Sequence, residues 1–150
     1  MECGNLKVDL ACSTNKAPGY LGVDISPESD AEIIHDLTKG LPFCNDSCIE
    51  LRAHNFCEHL TNNQYIDFTW ECWRCLKHEG LLDILVPKGN TDTHIKDPTH
   101  RHNGFSAKMF IYWEAGCHRQ KEYKLPPFKN IRVLVFKEVL RATMQAYKLN

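Results

Sequence analysis

Hydrophobic and polar residues alternate over Leu6-Lys7-Val8-Asp9-Leu10-Ala11-Cys12, the two-residue period of a strand with one buried face. The run stops at Ser13-Thr14-Asn15, and Ala17-Pro18-Gly19 supplies a turn. Four more short apolar runs follow. Tyr20 to Ile25 ends at Ser26-Pro27, Ala31 to Leu37 precedes Gly40 and Pro42, Cys48 to Ala53 is the fourth, and Leu81 to Val86 ends at Pro87 and Gly89. Between the fourth and fifth the period lengthens. Ile66, Trp70, Trp73 and Leu76 or Lys77, spaced by three and four, predict an apolar helix face, with Asn62 or Asn63 as cap. Lys77 and His78 suit a last turn, and Gly80 a C′ position. A strand–helix–strand unit of this length implies a right-handed crossover between parallel neighbours.

The tail is read more from composition than from period. Phe105 to Trp113 predicts a short helix, Lys124 to Phe128 a loop, Ile131 to Phe136 a strand, and Lys137 to Lys148 a closing helix. The order β-β-β-β-α-β-α-β-α predicts an α/β domain. A length of 150 residues without repeat or linker fits one domain, residues 1–150.

Charge and cysteine content narrow the class. Eighteen Lys and Arg against 19 Asp and Glu leave a net charge of -1, which argues against holding nucleic acid by bulk attraction. No apolar run follows Met1, and none approaches the roughly 20 residues of a membrane span. The expectation is a soluble cytoplasmic protein, engaging neither nucleic acid nor membrane, with reduced thiols. Cys72-x-x-Cys75 lies deep in the predicted helix between tryptophans, a place for small buried hydrophobes rather than a redox pair. His94, Asp97, His100 and His102 crowd one loop, but no pair sits at helical spacing, so no metal is assigned. Glu58 and His59 read as polar residues of a first helical turn.

In open parallel sheets, ligands bind beyond the carboxyl ends of the strands. The residues there are Ala11 to Lys16, Asp24, Asp36, His54 to His59, and Pro87 to His102. A carboxylate ending the second strand suits a ribose diol.

Five segments in order carry a resemblance. Leu10 to Ile25 looks like the first two strands of class I S-adenosylmethionine-dependent methyltransferases, in a compact branch with a short loop between them. His35-Asp-Leu-Thr-Lys-Gly-Leu-Pro-Phe43, His54-Asn-Phe-Cys-Glu-His-Leu60, Cys75-Leu-Lys-His-Glu-Gly-Leu-Leu82 and Asp97-Pro-Thr-His100 resemble later segments of that branch. The resemblance spans residues 6–110 and implies a Rossmann-like, mostly parallel sheet with helices on its faces, and S-adenosylmethionine as cofactor. Position by position, it places Ala11, Cys12 and Ser13 against the methionine part. Asp24 would lie at the ribose with Ile25 beside it, and Asp36 with Leu37 would flank the adenine. His54 and Asn55 would face the sulfonium, and His54 and His100 would serve as acid or base toward a small-molecule or glycan-like acceptor.

Two departures stand out. The family's first loop carries glycines where this chain has Ala11, Ser13 and Asn15, small or left-handed-tolerant residues. That motivates a second reading, a degenerate relative acting as a non-catalytic binding module; the cysteines motivate a third, a zinc-stabilised binding protein. The stretch from Cys12 to Tyr20 is also too short for a crossover helix, so an extended loop must leave part of one sheet face bare. The C-terminal segment or a second subunit, in a homodimer, would then cover it.

Overall fold

A computed structural model describes residues 4–148; Met1, after which no apolar run was read, lies outside them. The elements are β1 (Leu6–Leu10), β2 (Leu21–Asp24), β3 (Ile33–Ile34), β4 (Cys48–His54), α1 (Asn62–Cys75), β5 (Leu76–Pro87), α2 (Asp92–Ile95), α3 (His118–Glu122), β6 (Phe128–Phe136) and β7 (Val139–Ala146). Short 3-10 turns occupy Leu37–Lys39, Cys57–His59 and Ala107–Trp113. All strands join one seven-stranded sheet of order β3-β2-β1-β4-β5-β7-β6. Pairing is parallel from β3 through β5, and β7 runs antiparallel to both β5 and β6. This is the Rossmann-like, mostly parallel sheet that the resemblance implied.

The closing segment is a strand, not the helix its composition predicts. Leu140, Ala142, Met144 and Ala146 are buried at every second position of β7. Helix propensities differ by only tenths of a kcal/mol per residue. Burying four apolar side chains between β5 and β6 outweighs them. Lys137, at φ 53, turns the hairpin between β6 and β7. The C-terminal segment therefore sits inside the sheet and does not cover a face.

Helix α1 also differs in detail. Thr61, not Asn62 or Asn63, is the cap. Its hydroxyl accepts from Gln64 N, and the Gln64 side chain accepts from Thr61 N, a reciprocal capping box. The buried stripe is Tyr65, Phe68, Thr69, Cys72 and Cys75, while Trp70 is exposed, so the predicted face is rotated. The two tryptophans instead cross the rim, donating to the Lys124 and Tyr147 carbonyls. The helix ends at Cys75, and Gly80 lies within β5, where a Cβ would come 3.0 Å from Leu76 Cδ2 and 3.2 Å from Cys48 O. Close strand approach, not a C′ turn, requires that glycine.

The sheet has two unlike faces. Val8, Leu10, Val23, Leu51, Ala53, Leu82, Ile84 and Val86 belong to one core cluster with the α1 stripe, Phe105, Phe110 and Trp113. The opposite face carries Lys7 and Asp9 of β1, Glu50, Arg52 and His54 of β4, Asp83 of β5 and Arg141 of β7. Among the described residues no helix covers it. Register sets these charges side by side: Asp9 opposes Arg52 and Arg52 opposes Asp83. The β1–β2 loop lies over part of this face, pinned where Asp9 Oδ2 accepts from Ala17 N at 2.8 Å. Beyond it, Tyr20 donates to Glu50.

Candidate functional site

At the carboxyl end of β1 the chain turns twice through left-handed backbone, with φ 59 at Ala11 and φ 50 at Ser13. These are positions where the related loop uses glycine, and the chain takes the glycine-like conformation without glycine. Two acceptors hold the loop. Ala11 N donates to Val23 O at 2.7 Å, and Ser13 N donates to Asp24 Oδ2 at 2.9 Å. The other carboxylate oxygen of Asp24 accepts from Ser26 N at 2.8 Å. Asp24 thus ties the first loop to the second, and each of its oxygens keeps a second lone pair.

The loop forms one wall of a cleft of about 520 Å³ whose lining includes Ala11, Cys12, Ser13, Arg52, His54 and Asn55. Such a volume lies within the range of about 300–1,000 Å³ typical of cofactor sites. Five of the residues placed at the cofactor or the reacting centre from sequence therefore share one cleft. Cys12 contributes as filler. A Cβ at Gly22 would lie 2.8 Å from its Sγ, so the thiol packs directly over that glycine. Burial, with Asp9 and Asp24 nearby, pushes the Cys12 thiol up to about 11, out of the nucleophilic range.

His54 points from the end of β4 toward Asp83, with Nε2 3.1 Å from Oδ2 but outside hydrogen-bonding alignment. Arg141 grips the same carboxylate through Nε at 3.0 Å and Nη2 at 2.8 Å. Burial alone would raise the Asp83 carboxyl, yet His54 and Arg141 hold it down to about 2. Sequence reasoning passed over Arg52, whose buried Nε has no hydrogen-bond partner beside the cleft. Alternation along β4 was the available signal, since Glu50, Arg52 and His54 share a face.

Other predicted positions lie elsewhere. Ile25 is 67% exposed beyond β2. Asp36 caps the following turn, accepting from Thr38 N at 3.0 Å and Thr38 Oγ1 at 2.6 Å, while Leu37 is buried in the core. Asp24, Asp36 and Leu37 do not line the cleft.

A second cleft of about 250 Å³ adjoins the first at Asn55, which lines both, and holds Glu58, His59, Asp97 and His100. Asn55 takes φ 58, the left-handed turn that swings the chain from β4 into the Cys57–His59 turn. Glu58 is buried, not solvated in a first helical turn. Its carbonyl accepts from Arg101 N at 2.8 Å and His102 N at 3.2 Å, fastening the histidine loop to the end of β4. Burial raises its carboxyl, while its own backbone N–H, His59 and His100 oppose the rise. His102 belongs to the core. Its ring stacks on Phe105 at 3.9 Å, Nδ1 accepts from Gly104 N, and burial drives its pKa down to about 4.

Cysteine chemistry is mainly structural. Cys48, Cys57, Cys72 and Cys75 are buried free thiols, and burial raises the Cys75 thiol to about 12. Cys44 is disulfide-bonded, an exception to the expected reduced thiols. No described helix is long and apolar enough to cross a membrane.

No protein-family model matches the chain, and no curated protein does. Solved structures do match. A SAM-dependent methyltransferase from Archaeoglobus fulgidus superposes with TM-score 0.73 at 12% identity, over 95% of this chain and 86% of that one. SAM-dependent methyltransferases from Methanosarcina mazei give TM-score 0.65 at 14% identity, over 99% and 95%. Phosphoethanolamine N-methyltransferase 2 of Haemonchus contortus, in complex with S-adenosyl-L-methionine, gives 0.63 at 11% identity, over 99% of this chain and 50% of that one. At such identities the likeness is one of fold: this chain has the class I methyltransferase fold, trimmed of the helices on one face.

Proposed function

We propose that the protein binds S-adenosylmethionine in the cleft beneath the β1 loop and transfers its methyl group to a small-molecule or glycan-like acceptor entering from the second cleft. The observation that carries this reading is the convergence of Ala11, Ser13, Arg52, His54 and Asn55 on one cavity at the carboxyl ends of β1 and β4. The cofactor supplies an activated methyl group on a positively charged sulfur. This chain supplies position. The left-handed turns at Ala11 and Ser13 bring bare backbone to the cavity wall, and the unpartnered Arg52 Nε suits the carboxylate of an amino-acid moiety. Asp24 retains lone pairs for a ribose diol, with the apolar Ile25 beside it. Holding donor and acceptor in line lowers the barrier chiefly through orientation. His54, beside Asp83 at the cleft wall, offers a ring nitrogen for a proton leaving an acceptor oxygen or nitrogen.

Calorimetry with S-adenosylhomocysteine tests the reading. Micromolar binding to the wild type, weakened by about 10- to 150-fold in Arg52→Gln, is expected from the loss of one charge-assisted hydrogen bond of about 1.5–3 kcal/mol. No binding at millimolar ligand would overturn methyl transfer and leave the non-catalytic module. Equal binding by Arg52→Gln would overturn only the role given to Arg52.

A further inference from the structure

We infer that Glu58, His59 and His100 form a binding site for a divalent transition-metal ion of the zinc class. One ligand atom from each residue gathers within 4.8 Å of the others. Zinc holds nitrogen and oxygen ligands at about 2.0–2.2 Å, so closing onto one ion draws these atoms together by roughly 1 Å, within the reach of side-chain torsions.

The tautomers are already set for coordination. His100 Nδ1 lies 2.8 Å from His94 O, and a carbonyl only accepts, so the proton sits on Nδ1 and Nε2 carries the free lone pair. His59 Nδ1 lies 3.3 Å from Thr99 O and 3.0 Å from Thr99 Oγ1, which orients that ring in the same sense. Hydrogen bonding of the distal nitrogen to a carbonyl is how ligating histidines are commonly held. The His59 and His100 rings meet edge to face with centroids 4.9 Å apart.

Glu58 provides the independent sign. Only 2% of the residue is exposed, and its Oε2 is buried without any hydrogen-bond partner. A buried carboxylate oxygen left unpaired is costly, and an oxygen of this carboxylate lies within 4.8 Å of a ring nitrogen of each histidine. His59 Nε2 stands 3.9 Å from Glu58 Oε1. A cation among the three satisfies the carboxylate and both lone pairs together. Asp97 Oδ2, 3.5 Å from His100 Nε2, is the nearest further oxygen. Two imidazoles and one carboxylate favour zinc-like ions over magnesium or calcium, which prefer all-oxygen shells.

The site is built by the fold rather than by local spacing. Glu58 and His59 ride the turn after β4, and the Glu58 carbonyl clamps the loop that presents His100. Three protein ligands leave coordination positions open. Because the group lines the cleft that meets the cofactor cleft at Asn55, those positions would take an acceptor oxygen; this last step rests on the methyl-transfer reading, whereas metal binding does not.

The full chain, prepared without a histidine tag and stripped with chelator, is titrated with Co²⁺ by visible absorption and with Zn²⁺ by calorimetry. One equivalent should bind, and His59→Ala, His100→Ala and Glu58→Gln should each weaken it about 10-fold or more, as ligand loss does. His78→Ala should leave it unchanged. His59 is partly exposed, so its variant keeps a folded reference even where Glu58→Gln does not. Absence of stoichiometric binding, unchanged affinity in His59→Ala and His100→Ala, or a thiolate-to-cobalt charge-transfer band would each overturn the site. S-adenosylhomocysteine binding on the same preparation reports separately on methyl transfer.

Discussion

Adjacent residues of β5 show how differently the two faces of the sheet are made. Ile84 points into the core between Ala53 and Ala142, fully buried, while Asp83 points the other way into a cluster with His54 and Arg141. One face is stabilised by apolar area and close packing under α1. The other has no helix over it among the described residues and carries neighbouring charges and a pinned loop. The lesson is that a parallel sheet tolerates a bare face when that face is polar and its buried groups hold one another.

Truncation on the packed side should cost most. Ile84→Ala removes buried methyls from a central strand and leaves a cavity, a loss of about 2–5 kcal/mol in urea unfolding. Asp83→Asn acts on the next residue and the opposite face. It weakens two charge-assisted hydrogen bonds from Arg141, about 2–3 kcal/mol. Arg141 is half exposed and rehydrates when released, which keeps the loss below that of a fully buried pair. If Asp83→Asn destabilised the chain more than Ile84→Ala, the ranking of the two faces would be reversed.

Acid should separate the faces without any substitution. The Asp83 carboxyl is held down to about 2 in the folded chain, against 3.8 ordinarily. A depressed folded pKa means that the unfolded chain binds the proton more readily. Its stabilisation is therefore present above about pH 4 and fades as pH falls toward 2, a loss of up to about 2 kcal/mol. Urea unfolding of wild type and Asp83→Asn at pH 5 and pH 2.5 checks this. The gap between them should narrow at the lower pH, and a constant gap would show that Asp83 acts through shape rather than charge.

How much could be read in advance divides along the same line. β1, β2, β4 and β5 were legible because alternation and turn residues report directly on one buried face. β7 was not, since Leu140, Ala142 and Met144 suit a helix equally well and only the slot between β5 and β6 decides. The stripe of α1 was misplaced because tryptophan was counted as core, when Trp70 and Trp73 use their indole N–H groups at the rim. Ala11, Ser13, His54 and Asn55 share a cleft, and their place beyond strand ends was legible in the sequence. Glu58 was missed because a charged residue near a predicted helix start reads as solvated; its burial comes from a loop some 40 residues away folding back on its carbonyl. Arg52 was missed because no turn or motif marks it, only its register beside Asp83.

The smallest expected effect bears on the loop that links the bare face to the cleft at the carboxyl end of β1. An L-residue in left-handed backbone gives up about 1–2 kcal/mol relative to its preferred region, and Ala11 at φ 59 sits there. Glycine removes that strain but adds freedom to the unfolded chain, which returns about 0.5–1 kcal/mol. Ala11→Gly should therefore stabilise the protein by about 0.5–1 kcal/mol, read as a small rise in urea midpoint without change of slope. The backbone bond from Ala11 N to Val23 O is untouched by the substitution. Gly22→Ala, under the same loop, should do the opposite, because a Cβ there meets Cys12 Sγ and Lys16 Cδ at 2.8 Å. A destabilising Ala11→Gly would mean that the methyl group, not the turn, is what the loop needs. A stabilising one would show that the chain carries strain at the mouth of the cleft, where strained backbone is kept for the contacts it makes.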